Sequence, residues 1–71
     1  MAIYAVGFFM DGKMVAIDGC EFLHIKNVQK QMEGLKKDHV YKEIDGLEFR
    51  IIQILVKDRD GCVLRFKEVK F

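Results

Sequence analysis

From Ile3 to Met10 the chain runs Ile-Tyr-Ala-Val-Gly-Phe-Phe-Met without a charge, and after Asp11-Gly12 a second short stretch, Lys13 to Ile17, continues the apolar pattern. Two such stretches flanking Asp-Gly predict a β-hairpin, because this pair adopts the positive φ angles that a tight two-residue turn requires. A simple hairpin register sets Met10 against Lys13, Phe9 against Met14, Phe8 against Val15, Gly7 against Ala16 and Val6 against Ile17. One face then carries Val6, Phe8, Val15 and Ile17. The other carries Ala5, Gly7 and Ala16, with Phe9 and Met14 at the turn end, and its small residues would let a helix or another backbone approach closely.

After a second Asp-Gly at 18–19, residues Cys20 to Leu23 read equally as a short returning strand or as an early helix start. Ile25, Val28, Met32 and Leu35 then recur at spacings of three, four and three, which places one apolar stripe along a helix near residues 25–35. Asn27 is the expected N-cap, and Gly34 followed by Leu35 the expected stop.

The longest apolar run is Leu47 to Val56, Leu-Glu-Phe-Arg-Ile-Ile-Gln-Ile-Leu-Val. With Val40 to Ile44 before it, across Asp45-Gly46, and Cys62 to Phe71 after it, across Asp58-Arg59-Asp60-Gly61, it predicts a three-stranded meander. The registers expected are Ile44 with Leu47 and Val40 with Ile51 in the first hairpin, and Val56 with Val63 and Leu55 with Leu64 in the second. The fold class is therefore α+β: a small antiparallel sheet of about five strands with one helix, in the order β-hairpin, helix, three-stranded meander.

In the long run Phe49, Ile51 and Leu55 point to one side and Ile52, Ile54 and Val56 to the other, so both faces need cover. One short helix covers a single face. Either the sheet curls into a half-barrel or a second copy of the chain, in a homodimer, covers the rest.

With 71 residues, 51% hydrophobic and 32% charged, the chain has room for one domain, residues 1–71, with one small core. No repeat, low-complexity tract or proline marks a boundary. The apolar N-terminus lacks a basic leading segment and is cut short at Asp11-Gly12-Lys13, which argues against a signal peptide or a membrane span. Two cysteines spaced as widely as Cys20 and Cys62, with no secretion signal, read as reduced, buried thiols in a cytoplasmic protein.

Candidate chemistry is sparse. Cys20 and His24 share a face only if residues 20–24 are helical, and no Cys-x-x-Cys or close His pair points to zinc. Asp11, Asp18, Asp45, Asp58 and Asp60 sit where turns need them, which accounts for them better than acid-base catalysis does. Asp58-x-Asp60-Gly61 lacks a calcium loop's remaining ligands: Val56 stands at its first position and Lys67 where the bidentate glutamate belongs. The isolated glycines form no phosphate-cradling loop. No catalytic, metal or cofactor residue is assigned, and the chain is read as non-enzymatic.

The net charge of +1 is unevenly spread. Lys26, Lys30, Lys36 and Lys37 face only Glu33 within residues 24–37, giving that segment +3, whereas residues 1–23 carry −2. Lysines on a helix surface and near its C-terminus ordinarily serve solubility and the helix dipole. Their functional reading is a partner-binding patch, and these four are the candidate site residues. The expected function is a small protein-interaction module, a regulator, adaptor or inhibitor of the kind phages encode. The alternative is a nucleic-acid-binding protein using the lysine-rich helix, which is disfavoured by a helix without arginine or an evident aromatic platform. The closing strand, with Arg65, Lys67, Glu68 and Lys70, reads as a sheet edge guarded by charge, or as an edge offered for strand addition.

Overall fold

The computed structural model describes residues 1–71. Two strands, β1 (Ile3–Met10) and β2 (Lys13–Ile17), are followed by helices α1 (Ile25–Lys37) and α2 (His39–Lys42), then by strands β3 (Glu48–Lys57) and β4 (Val63–Glu68). The four strands form one antiparallel sheet in the order β2-β1-β3-β4. It is a small α+β fold whose sheet curls into a half-barrel.

The first hairpin forms as the turn chemistry demands. Asp11 and Gly12 both have positive φ, 52° and 79°, the signature of a two-residue turn whose twist matches that of the strands. Its register departs from the simple one after two pairs. Met10 lies against Lys13 and Phe9 against Met14, but Phe8 meets Ala16 and Gly7 meets Ile17. Val15 is the extra residue of a β-bulge, and Ile17 consequently turns to the face of Ala5 and Phe9 rather than that of Val6 and Phe8.

Residues 20–23 resolve toward the strand. Tyr4 and Phe22 exchange both backbone hydrogen bonds, 2.7 and 2.8 Å, in an isolated bridge that continues the β2 side of β1. This tether delivers the chain into α1 earlier than Asn27. His24 is the N-cap residue and makes no side-chain cap bond, so Asn27 lies inside the helix. Gly34 does not stop it either: Leu35 packs against the sheet, and the helix runs on to Lys37, where the Asp38 N–H closes on the Leu35 carbonyl.

The segment 40–44 is the main correction. Residues expected as a strand form α2, because the Asp38 carboxylate accepts from the Val40 N–H at 2.9 Å and caps a single turn. That turn drops Tyr41 onto Phe8 and Phe49, with ring centroids 5.2 and 5.9 Å away. Burial of the aromatic ring outweighs the β preference of Val40 and Tyr41. The strand count is thus four, and the three-stranded meander is reduced to the β3–β4 hairpin. β1 takes the vacant place beside β3, pairing from Ile3 with Ile54 to Phe9 with Glu48.

The β3–β4 turn carries Gly61 at φ 85°, and the Asp58 carboxylate accepts from the N–H groups of Asp60 and Cys62, both at 2.9 Å. The closing strand ends at Glu68, short of Phe71. Its register is also shifted: Lys57 pairs with Val63, Val56 with Arg65 and Ile54 with Phe66, leaving Leu55 and Leu64 as unmatched residues at bulges. Bulges bend a strand and increase its twist, and here they accompany the curl of the sheet.

Two cores result. On the helix-bearing face Val6, Val28 and Ile51 are buried, with Tyr4, Phe22, Met32, Leu35, Phe49 and Val69 packed around them. On the opposite face Ala5, Phe9, Ile52 and Ile54 are buried among Ile3, Met14, Ile17 and Val63, with no helix above them. Phe66 closes on Phe9 edge to face at 6.2 Å, and the Arg50 guanidinium lies 5.0 Å above the Phe9 ring. The room left by Gly7 is filled by Phe9, on the face away from the helices: a methyl group there would stand 2.8 Å from Phe9 Cε1 and 3.0 Å from Met14 Sδ. Close approach at the small-residue face is therefore made by a neighbouring ring, not by a helix or backbone.

Candidate docking groove

The helix-bearing face is not fully covered. α1 lies over Val6 and Ile51, while α2 reaches only Phe8 and Phe49, so the sheet surface toward β2 stays open. Between β2 and α2 runs a groove of about 450 Å³ whose lining is entirely hydrophobic, including Phe8, Met10, Ala16, Tyr41, Ile44 and Leu47. Phe8, Tyr41 and Phe49 stack against one another and hold its wall to its floor. Val15 and Ile44 stand exposed at its margins. Exposed apolar surface gathered in a concavity marks a contact site more strongly than the same residues scattered singly.

A second depression, about 360 Å³, lies where α1 meets the end of β4. Its lining is mixed, with Met32, Val69 and Phe71 beside Arg50, Glu68 and Lys70. Arg50 bridges Glu48 at 3.2 Å and Glu68 at 3.3 Å. The hydrogen bond with Glu48, then the charge of Glu68, push the guanidinium pKa above its ordinary value. The three charges hold one another in place, one guanidinium between two carboxylates, and Lys70 beside them has no ion-pair partner.

Lys26, Lys30, Lys36 and Lys37 are all exposed, and none forms an ion pair. At about 100° per residue, Lys26, Lys30 and Lys37 fall within roughly 40° of one another, with Glu33 about 20° outside that arc and Lys36 further round on the same side. The helix thus gathers three of the four into a stripe turned away from the core residues Val28, Met32 and Leu35. They do not line the groove, but Lys36 and Lys37 stand at the corner where α1 gives way to α2, its wall.

The residues considered for chemistry are dispersed. Cys20 lies outside α1, so it does not share a helix face with His24 at the cap. Cys20 and Cys62 are free and exposed rather than buried, since each falls in a connection next to a turn glycine. His24 and His39 are likewise exposed. No three His, Cys, Asp or Glu side chains converge on a point that could hold a metal ion. Asp18, Asp38 and Asp58 each accept a backbone N–H two residues ahead or within the same turn, the local role expected of aspartates at such positions.

The apolar alternation of Val40 to Ile44 predicts a strand and not a groove, which exists only because Tyr41 and Ile44 leave the sheet. The available signal was Asp38 ahead of Val40 as a helix cap, too short a motif to compete with the apolar alternation that follows it. No helix is long and apolar enough to cross a membrane. Comparison with known protein families, curated proteins and solved structures yields no match for this chain.

Proposed function

We propose that the protein is a non-enzymatic interaction module that receives an acidic, amphipathic segment of another protein, apolar side chains in the α2–β2 groove and carboxylates toward the α1 lysines. The observation carrying this reading is the wholly hydrophobic lining of the groove, which apart from the Tyr41 hydroxyl offers burial rather than proton transfer. The unpaired lysines add charge complementarity on the same side of the sheet, where they steer encounter more than they tighten the complex. Exposed thiols at Cys20 and Cys62 fit a reducing compartment, and the cytoplasm is the location this reading assigns.

Capture from the native host with three baits tests the reading: the unaltered chain, Ile44→Asp, and a variant with Lys26, Lys30, Lys36 and Lys37 changed to Gln. The expected result is a protein retained by the unaltered chain, lost with Ile44→Asp and weakened both by the lysine changes and by salt. Retention of nucleic acid at low salt, abolished by the lysine changes and indifferent to Ile44→Asp, would establish the nucleic-acid alternative instead. A set of retained molecules that ignores Ile44→Asp overturns the groove as the docking site.

A further inference from the structure

The two edges of the sheet are protected to different degrees. β4 carries Arg65, Lys67 and Glu68, and self-pairing of β4 about Phe66 would set Arg65 of one copy opposite Lys67 of the other. β2 carries Met14, Val15, Ala16 and Ile17 in succession, with no charge and no proline between Lys13 and Asp18, and Val15 is 60% exposed. The bulge at Val15 is its one guard, and an apolar edge without charge or proline is a template for another strand.

The stretch Lys-Met-Val-Ala-Ile-Asp is also complementary to itself when run antiparallel. Lys13 then stands opposite Asp18, Met14 opposite Ile17 and Val15 opposite Ala16. The bulge makes this pairing consistent in three dimensions. Lys13 pairs with Met10, and Asp18 donates its N–H to the Val6 carbonyl at 2.9 Å, so both belong to the helix-bearing face of Val6, Phe8 and Met10. Five residues apart in a regular strand they would point to opposite faces; the extra residue Val15 brings them to one. Met14 and Ile17 pair with Phe9 and Gly7 and share the opposite face, while Val15 and Ala16 both line the groove. Every residue therefore meets one of its own face. The ionic partners are free to engage: Lys13 is exposed and unpaired, and Asp18 holds Gln31 Nε2 at 3.0 Å and the Cys20 N–H at 3.3 Å through Oδ2, leaving Oδ1 without a hydrogen bond.

We infer that the partner of β2 is a second copy of this chain, paired antiparallel about a two-fold axis with Lys13 of each copy opposite Asp18 of the other. An axis perpendicular to the sheet keeps both helix-bearing faces on one side. The two grooves then join into a single apolar trough, floored by the paired β1 and β2 strands and walled by α2 of each copy. A single chain supplies the floor and one wall; the second wall comes from the other copy. The inference stands on β2 and its register, not on the acidic partner proposed above, and the two fail separately.

Light scattering during size exclusion, with far-UV circular dichroism to confirm folding, tests it on four chains. The unaltered protein is expected at twice the 8.3 kDa chain mass. Lys13→Asp, which opposes two aspartates, and Asp18→Lys, which opposes two lysines, are each expected to halve that mass. An equimolar mixture of these two variants restores both ion pairs and is expected to return to the doubled mass. Val15→Lys, at an exposed position, gives the same halving should Asp18→Lys fail to fold. A monomeric unaltered protein at its highest soluble concentration overturns the inference, and so does a dimer that survives Lys13→Asp and Val15→Lys. Loss of partner capture with Ile44→Asp while the doubled mass persists would leave the dimer standing on its own.

Discussion

Ile51 and Ile52 are consecutive residues of β3, 2% and 0% exposed, and they are buried by different means. Ile51 lies beneath a second layer: Val28 of α1 reaches it across the sheet, with Phe49 and Val69 alongside. Ile52 lies on a face without a helix, where the sheet's own edges turn inward and Ala5, Phe9 and Ile54 close around it. A domain this small has limited means of building a core, and half of this one comes from curvature. Layered cover depends on a helix with the right periodicity. Curved cover depends on bulges, on the fold of Phe9 over Gly7, and on Arg50 lying across the ring.

The most demanding check on this comparison is the pair of single variants Ile51→Ala and Ile52→Ala. Equal burial predicts equal cost, about 2–5 kcal/mol each, read as a shift in the denaturant midpoint. A loss with Ile52→Ala of well under 1 kcal/mol would show that the curved face is not a true core.

Gly7→Ala comes next, with an expected destabilisation of about 1–3 kcal/mol, because its methyl group overlaps the Phe9 ring. Adding Phe9→Leu to that variant removes the ring and is expected to recover part of the loss. Failure of the double variant to recover any of it would place the strain in the backbone rather than at the ring.

On the layered side, Gly34→Ala is expected to stabilise by about 0.5–1 kcal/mol, since Gly34 sits within α1 with nothing near the added methyl group. The gain should appear in thermal melts without altering the chemical shifts of Phe9 and Ile52. The smallest effect is expected from Arg50→Gln, whose ion pairs with Glu48 and Glu68 are partly exposed. Its melting temperature should fall, by a shift smaller in size than that of any variant above, and the difference should shrink as salt is raised.

What was legible in the sequence is what short-range chemistry decides. The Asp11-Gly12 turn, the helical stripe of Ile25, Val28, Met32 and Leu35, the long strand 48–57 with its two apolar faces, and the turn closing at Gly61 all appear where pattern and turn residues place them. Lys26, Lys30, Lys36 and Lys37 are exposed as well, with the helix carrying the last two beyond the stop expected at Gly34-Leu35. Each of these depends on φ preferences or on a periodicity contained within about a dozen residues.

Tertiary structure alone decided the rest. Whether Val40 to Ile44 became strand or helix turned on a site for Tyr41 between Phe8 and Phe49, residues distant in sequence. That choice set the strand count, opened the place beside β3 to β1, and created the groove. The bulges at Val15, Leu55 and Leu64 are invisible to a pattern of alternation, because an extra residue costs a strand little locally and is favoured only when the whole sheet must curl to bury Ile52 and Phe9. The faces of the long strand were thus determined by its own residues, and the cover of each by contacts that form only when distant segments meet.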